Sequence, residues 1–208
     1  MFMGYVTDLI KRRRSIRKFS PRQIDVAVVR EVLEAARWAP SAHNAQPCRF
    51  IILTDAALKR DLAEAMAAAR LADMTKDGVA VEVRENATKA SVQRFTRAPV
   101  LVVACLTMKD MPKRADELRQ QCERDLAVQS LGAALQNMLL VAHARGLGAC
   151  WFSAPCFCKE TVRKVLKMPK DVEPQALIAL GYPAEKPKVP SRKPLRSHAY
   201  RDGWGEKL

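Results

Sequence analysis

The feature that most restricts this fold is the apolar run over residues 126–144. A bilayer span takes about 20 apolar residues, and this run is close to that length, yet Gln129, Gln136, Asn137 and His143 interrupt it. Polar side chains are costly in hydrocarbon, so the run predicts a helix buried inside a folded protein, with no membrane involved. It is the end of one helical stretch over residues 115–144, which stops at Arg145-Gly146, a good C-terminal signal. A helix apolar round most of its circumference needs other elements on several sides. The 208 residues suffice for one compact domain with a substantial core and are too few for two.

The remaining elements can be placed around that helix. Residues 99–106 (PVLVVACL) are the clearest strand. Residues 50–53 are unbroken and apolar, which predicts a strand buried on both faces. Residues 148–152 and 175–180 supply two more, the last closed by Gly181-Tyr182-Pro183. Residues 5–11 read as a short helix. Asp25 can cap another through its side-chain oxygen, with Val26, Val29, Val32, Leu33 and Ala36 at helical spacing. Pro40 ends it near Ala39, because the residue before a proline avoids helical backbone. Residues 41–47 form a polar loop, 56–74 an alanine-rich helix, 79–95 a weaker helical pattern that Asn86 can interrupt, and 159–166 a short helix. Prolines at 183, 187, 190 and 194 forbid regular structure, so residues 183–208 are expected to be an extended C-terminal arm. The sum is an α+β fold, a small sheet packed among longer helices in a single domain over residues 1–208.

Composition narrows the function classes. With 49% hydrophobic and 28% charged residues the chain reads as an ordinary globular protein. The N-terminus, MFMGYVTDLIKRRR, puts its charges after a short apolar stretch, the reverse of a secretory signal. A reducing cytoplasm is therefore the expected location, with the six cysteines as free thiols. Cys156-Phe-Cys158 lacks the spacer of a redox or zinc pair, so no metal is expected. The net charge of +14 attracts phosphates of any kind. Part of that excess is concentrated in residues 11–18 and 186–201.

Chemistry-bearing residues fall in four groups. Arg13-Arg14-Ser15-Ile16-Arg17 offers guanidinium and hydroxyl donors enough to surround one phosphate, with Ile16 positioned to pack inward. The loop APSAHNAQP, residues 39–47, lies between a helix and a strand, and its Ser41, Asn44 and Gln46 suit a ring bearing imide and carbonyl groups. GLGACWFSAP, residues 146–155, follows the long helix; its two glycines allow a tight turn and its strand can present N–H groups to a planar ligand. It is not a GxGxxG fingerprint, so a Rossmann dinucleotide site is not expected. PSRKPL, residues 190–195, returns positive charge within the arm.

RRRSIRKF, APSAHNAQPCRFIIL, AALQNMLLVAHARGLGACW, and LGYP followed by PSRKPL, in that order, resemble the nitroreductase family of FMN enzymes across nearly the full length. Within it, the half from GACWFSAPCF to LIALGYP is most similar to the flavin-binding C-terminal domain of the deazaflavin glutamyl ligases. The resemblance implies a small, mainly antiparallel central sheet and a homodimer with FMN bound non-covalently at two interface sites. Arg13, Ser15 and Arg17 match positions that hold the phosphate and ribityl chain, and Arg14 shares the motif. Ser41, Ala42 and Asn44 match the loop that reaches the flavin, largely from the partner. Ser153 and Ala154 match the segment whose N–H approaches flavin N5, although some members carry a glutamate-glycine pair there. Arg192 and Lys193 match a C-terminal phosphate contact. Residues 60–95 match no motif, so substrate identity does not transfer.

The expected activity is that of an FMN-dependent oxidoreductase: hydride from NADH or NADPH enters at N5 and leaves to a nitroaromatic, quinone or related small-molecule acceptor by a ping-pong cycle. The flavin carries the chemistry, so no essential side-chain acid or base is expected. Positive charge beside the pyrimidine edge would come from Arg17 or a helix end. The alternatives are a flavin-binding or sensing module without turnover and a reductase with a deazaflavin donor. Nucleic-acid binding is not expected, since the chain lacks a motif for it.

Overall fold

Eight consecutive buried residues, Val100–Thr107, form the central strand of a four-stranded antiparallel sheet. The computed structural model describes residues 2–208. Its elements in chain order are α1 (Phe2–Arg12), α2 (Val26–Arg37), β1 (Cys48–Leu53), α3 (Ala56–Lys76), α4 (Val81–Thr96), β2 (Val100–Thr107), α5 (Glu117–Ala144), β3 (Gly148–Phe152), α6 (Lys159–Leu166) and β4 (Val172–Gly181). Short 3-10 turns occupy Ala42–Asn44, Ala154–Phe157 and Leu195–Ser197. The strand order is β1-β2-β4-β3, every pair antiparallel. The fold is α+β, as the sequence implied.

Alternation along the strands builds two cores. Val100, Val102 and Ala104 of β2 and Ile178 and Leu180 of β4 pack with Val29 and Val32 of α2 and Leu135 and Met138 of α5. On the other face, Leu101, Val103, Leu177 and Ala179 meet Leu62 and Met66 of α3, Phe95 of α4 and Val162 of α6. α5 is long and apolar enough to cross a membrane by length and composition, but Leu131, Ala134, Leu135, Met138 and Ala142 are buried against α2 and the sheet. One of its polar interruptions has a structural use: Asn137 Nδ2 donates to Ala35 O of α2 at 3.0 Å.

Several expectations need correction. β1 was expected to be buried on both faces; it is an edge strand, and Arg49 and Ile52 are exposed. The helix over 81–96 runs through Asn86 without a break, because its packing on α3 outweighs one weak former. β4 starts at Val172 and includes Pro174, which cannot donate to a ladder; the register shifts at Ala104/Cys105, where Pro174 is accommodated as the partner of Cys105.

The chain's N-terminal segment enlarges the sheet beyond β3. Ser15 bridges Ala149 in parallel, and Phe19 bridges Pro183. Two glycines that pair across β3 and β4, Gly148 and Gly181, make room for it. A Cβ at Gly148 would sit 2.7 Å from Ile16, and one at Gly181 2.8 Å from Phe19 and Pro99. Gly148 is therefore a close-approach residue; the turn is made by Gly146, at φ 73°. Gly181→Ala is expected to destabilise the fold by about 1–3 kcal/mol through overpacking, read as a lower urea midpoint; an unchanged midpoint would show that Phe19 does not hold this position.

Candidate functional site

α1 ends where Arg13 N still donates to Leu9 O at 3.1 Å. The chain then extends, and Ile16 N donates to Ala149 O at 3.0 Å. Side chains alternate from there: Ile16 is buried against Gly148, while Arg13, Ser15 and Arg17 line a cavity of about 250 Å³. Arg14, Pro187, Lys188, Pro190 and Arg192 complete it. Residues from both ends of the polypeptide thus enclose one small space.

The arm is pinned to this segment by main-chain contacts. Glu185 Oε1 accepts from Arg17 N at 2.6 Å and Lys18 N at 3.0 Å, and Ala184 N donates to Lys18 O at 2.9 Å. The Arg22 guanidinium lies 4.0 Å over the Tyr182 ring.

The cavity is electrostatically uncompensated. Among the described residues, no ion pair includes Arg13, Arg14, Arg17 or Arg192. Burial, then the like charges of Arg14 and Arg192, lower the pKa of Arg13 from its usual value. Cys150 of β3 lies beside the same charges. Burial raises its thiol pKa, while Arg17, Arg94, a hydrogen bond with Ser15 and Arg13 oppose the rise. Arg94 reaches this neighbourhood from α4, with its guanidinium 5.5 Å over the Phe152 ring.

At the far end of β3, Ser153 is exposed and its carbonyl accepts from Cys156 N at 3.1 Å. Ala154 helps to line a second cavity, of about 350 Å³, between α3, α4 and the turn that follows β3. Cys156 Sγ donates to Gln175 O at 2.8 Å.

The loop at residues 41–47 is held elsewhere. Ser41 lines a cavity of about 620 Å³ between α2, β1 and α5. Its hydroxyl accepts from Gln46 N at 3.0 Å, and Ala42 N donates to Ser130 Oγ at 3.1 Å. His43 Nε2 lies 3.0 Å from Glu123 Oε2, whose other oxygen accepts from Arg114 Nε at 2.7 Å. The Arg114 hydrogen bond, ahead of the His43 contact, holds the Glu123 carboxyl below its usual pKa. His43, Asn44 and Gln46 all have positive φ, a conformation L residues adopt only when surroundings impose it.

One chain therefore brings Arg13, Arg14, Ser15, Arg17 and Arg192 together, and leaves Ser41, Ala42 and Asn44 outside that cavity and outside the one at Ala154. Lys193 is exposed and lines neither. Sequence reasoning did not single out Lys188, Glu185 or Arg94. Lys188 stood in the basic run over 186–201 without distinction, and Arg94 lay in a region with no motif.

Comparison with known proteins gives a consistent picture. The model of the nitroreductase family matches residues 10–182. A Thermus thermophilus protein named NADH dehydrogenase is 33% identical over 207 residues, covering 88% of this chain and 89% of that one. A Bacillus subtilis protein assigned as an NAD(P)H nitroreductase is 29% identical over 189 residues, covering 91% of this chain and 90% of its own. The crystal structure of a Desulfovibrio desulfuricans protein, assigned as a nitroreductase and in complex with FMN, superposes with a TM-score of 0.71 at 28% identity, covering 96% of this chain and 97% of that one.

The unpaired cations predict an anion response. Because folding lowers the Arg13 pKa, the charged form is disfavoured in the folded state, so removing that charge should favour folding. Inorganic phosphate at about ten times its Kd is expected to raise Tm by about 3–6 °C. Arg13→Gln is expected to raise Tm by about 1 °C without phosphate and to lose most of the phosphate response. Equal phosphate responses in both proteins would count against the cavity as the anion site.

Proposed function

The chain belongs to the nitroreductase family, and on that premise we propose that it is an FMN-dependent oxidoreductase that takes electrons from NADH or NADPH and passes them to a nitroaromatic, quinone or related acceptor. The observation that carries this reading is the cavity of unpaired cations beside β3. A phosphate monoester needs several donors on different sides, and Arg13, Ser15, Arg17 and Arg192, with Arg14 and Lys188 beside them, supply that set. The residues present therefore fit the phosphate end of the cofactor.

Bound FMN would supply two-electron redox chemistry between the nicotinamide and the acceptor. The chain's part is to bind and to set charge. Arg13, Arg14, Ser15, Arg17 and Arg192 would hold the phosphate and ribityl chain; Lys193, outside the cavity lining, would add to the surrounding positive charge. Ser153 and Ala154 would meet the ring through their backbone. Arg17, or Arg94 beside Cys150 and Phe152, would favour negative charge on the pyrimidine edge. No side-chain acid or base is assigned.

The reading includes a homodimer in the cytoplasm, with Ser41, Ala42 and Asn44 serving the partner's site. Unpartnered apolar surface supports it. α1 is amphipathic, yet Tyr5, Val6 and Ile10 are exposed, as are Leu126 and Val128 of α5 and Leu195 and Trp204 of the arm.

Three measurements test the reading. FMN should bind and give protein-associated visible bands that NADH or NADPH bleaches without oxygen; a preparation that takes up no flavin would sink it. Arg192→Gln should weaken FMN about tenfold and leave riboflavin binding unaffected, since only FMN has the phosphate for a charge-assisted hydrogen bond. Sedimentation should give a two-chain particle, and Leu126→Glu should shift it toward one chain with weaker FMN binding. A single-chain native particle that binds FMN fully would remove the partner from the site.

A further inference from the structure

The cavity of about 350 Å³ at Ala154 lies on the α3/α4 side of the sheet. Ser15 of the cation site bridges Ala149 near the start of β3, and Ala154 of this cavity follows the end of β3, so both cavities border the same strand. Its volume falls within the usual range for small-molecule sites, about 300–1,000 Å³. Its walls are Met66 and Met74 of α3, with Phe157 and Cys158 from the turn after β3. Thioether and aromatic surfaces of this kind accept a flat ring.

Two polar groups in this wall have no partner. Ser91 of α4 is only 7% exposed and lines the cavity, and its hydroxyl makes no side-chain hydrogen bond among the described residues. That hydroxyl is free to donate to a ligand oxygen. Arg70 of α3 stands at the wall without an ion pair, while its neighbour Asp73 is 3.8 Å from Lys76. Arg70 is therefore the uncommitted charge of this site.

We propose that this cavity selects an aromatic electron acceptor that carries a carboxylate. The ring lies among Met66, Met74 and Phe157, its nitro or quinone oxygen accepts from Ser91, and its carboxylate pairs with Arg70. The chain's positive net charge draws such an anion in. The assignment of this ligand as an acceptor rests on the oxidoreductase reading above; the binding preference itself does not.

Calorimetry with 4-nitrobenzoate and its methyl ester, on protein with and without FMN, tests it. The native protein should bind the acid about fivefold more tightly than the ester, the gap closing at high salt, as for an ion pair at a rim. Arg70→Gln should remove the gap by weakening the acid and not the ester. Ser91→Ala should weaken both about fivefold and keep the gap, as loss of one hydrogen bond does. Equal affinities for acid and ester in native protein, no binding of either, or a gap that survives Arg70→Gln would overturn the proposal. Failure of FMN to bind would overturn the oxidoreductase reading alone, since the carboxylate preference is measured without it.

Discussion

The structure depends on one docking event, the laying of residues 13–19 along the open edge of β3 and the segment that follows β4. Ser15 and Phe19 supply the bridges, and Gly148 and Gly181 supply the space for Ile16 and Phe19. Glu185 then receives the N–H groups of Arg17 and Lys18, fixing the arm to the same segment. Each contact is modest, and hydrogen bonds of this sort contribute about 1 kcal/mol apiece. Together they turn Ile16 into the core and Arg13, Arg14, Ser15 and Arg17 into the cation cavity.

That arrangement works against folding. Burial and like charge both disfavour protonated Arg13, and the nearest carboxylate tied to the segment, Glu185, accepts from main-chain N–H groups. A surface site selected for stability alone would place an acid among these arginines, as the chain does at Glu31–Arg145, 2.6 Å apart. Among the described residues that line the cavity there is no acid, as the anion site proposed above requires. The wider +14 charge adds a long-range attraction that salt would screen.

The sequence made the periodic elements legible, because burial enforces their pattern. β2 and α5 were evident from runs that only a core can accommodate. It also marked Arg13, Ser15, Arg17 and Arg192 through motif order, although no local pattern could show that they converge. What escaped notice has physical reasons. β1 reads as fully buried because its composition matches a central strand; only pairing order reveals an edge. The close-approach role of Gly148 depends on Ile16, a residue 132 positions earlier by numbering. Arg94 and Ser91 lie on a helix whose outward residues are mixed in character, so nothing local distinguishes Ser91, which lines a cavity, or Arg94, which lies over Phe152, from residues that face water.

The loop after α2 is built on a different principle from the cation site. Three residues with side chains, His43, Asn44 and Gln46, adopt positive φ; Asn tolerates this readily, while His43 and Gln46 each carry a cost on the order of 1 kcal/mol or more. The compensation is visible: Ser41 accepts from Gln46, Ser130 accepts from Ala42, and the Arg114–Glu123 pair reaches His43. These anchors come from α5 and the segment just before it, the same helix that leaves Leu126 and Val128 in the open. A loop held this firmly, on the element with uncovered apolar surface and away from its own chain's cation cavity, is suited to act across a boundary with another copy. Rigidity in advance lowers the entropy lost when a loop engages a ligand, so the strain within one chain is intelligible as preparation of the two-chain site proposed above.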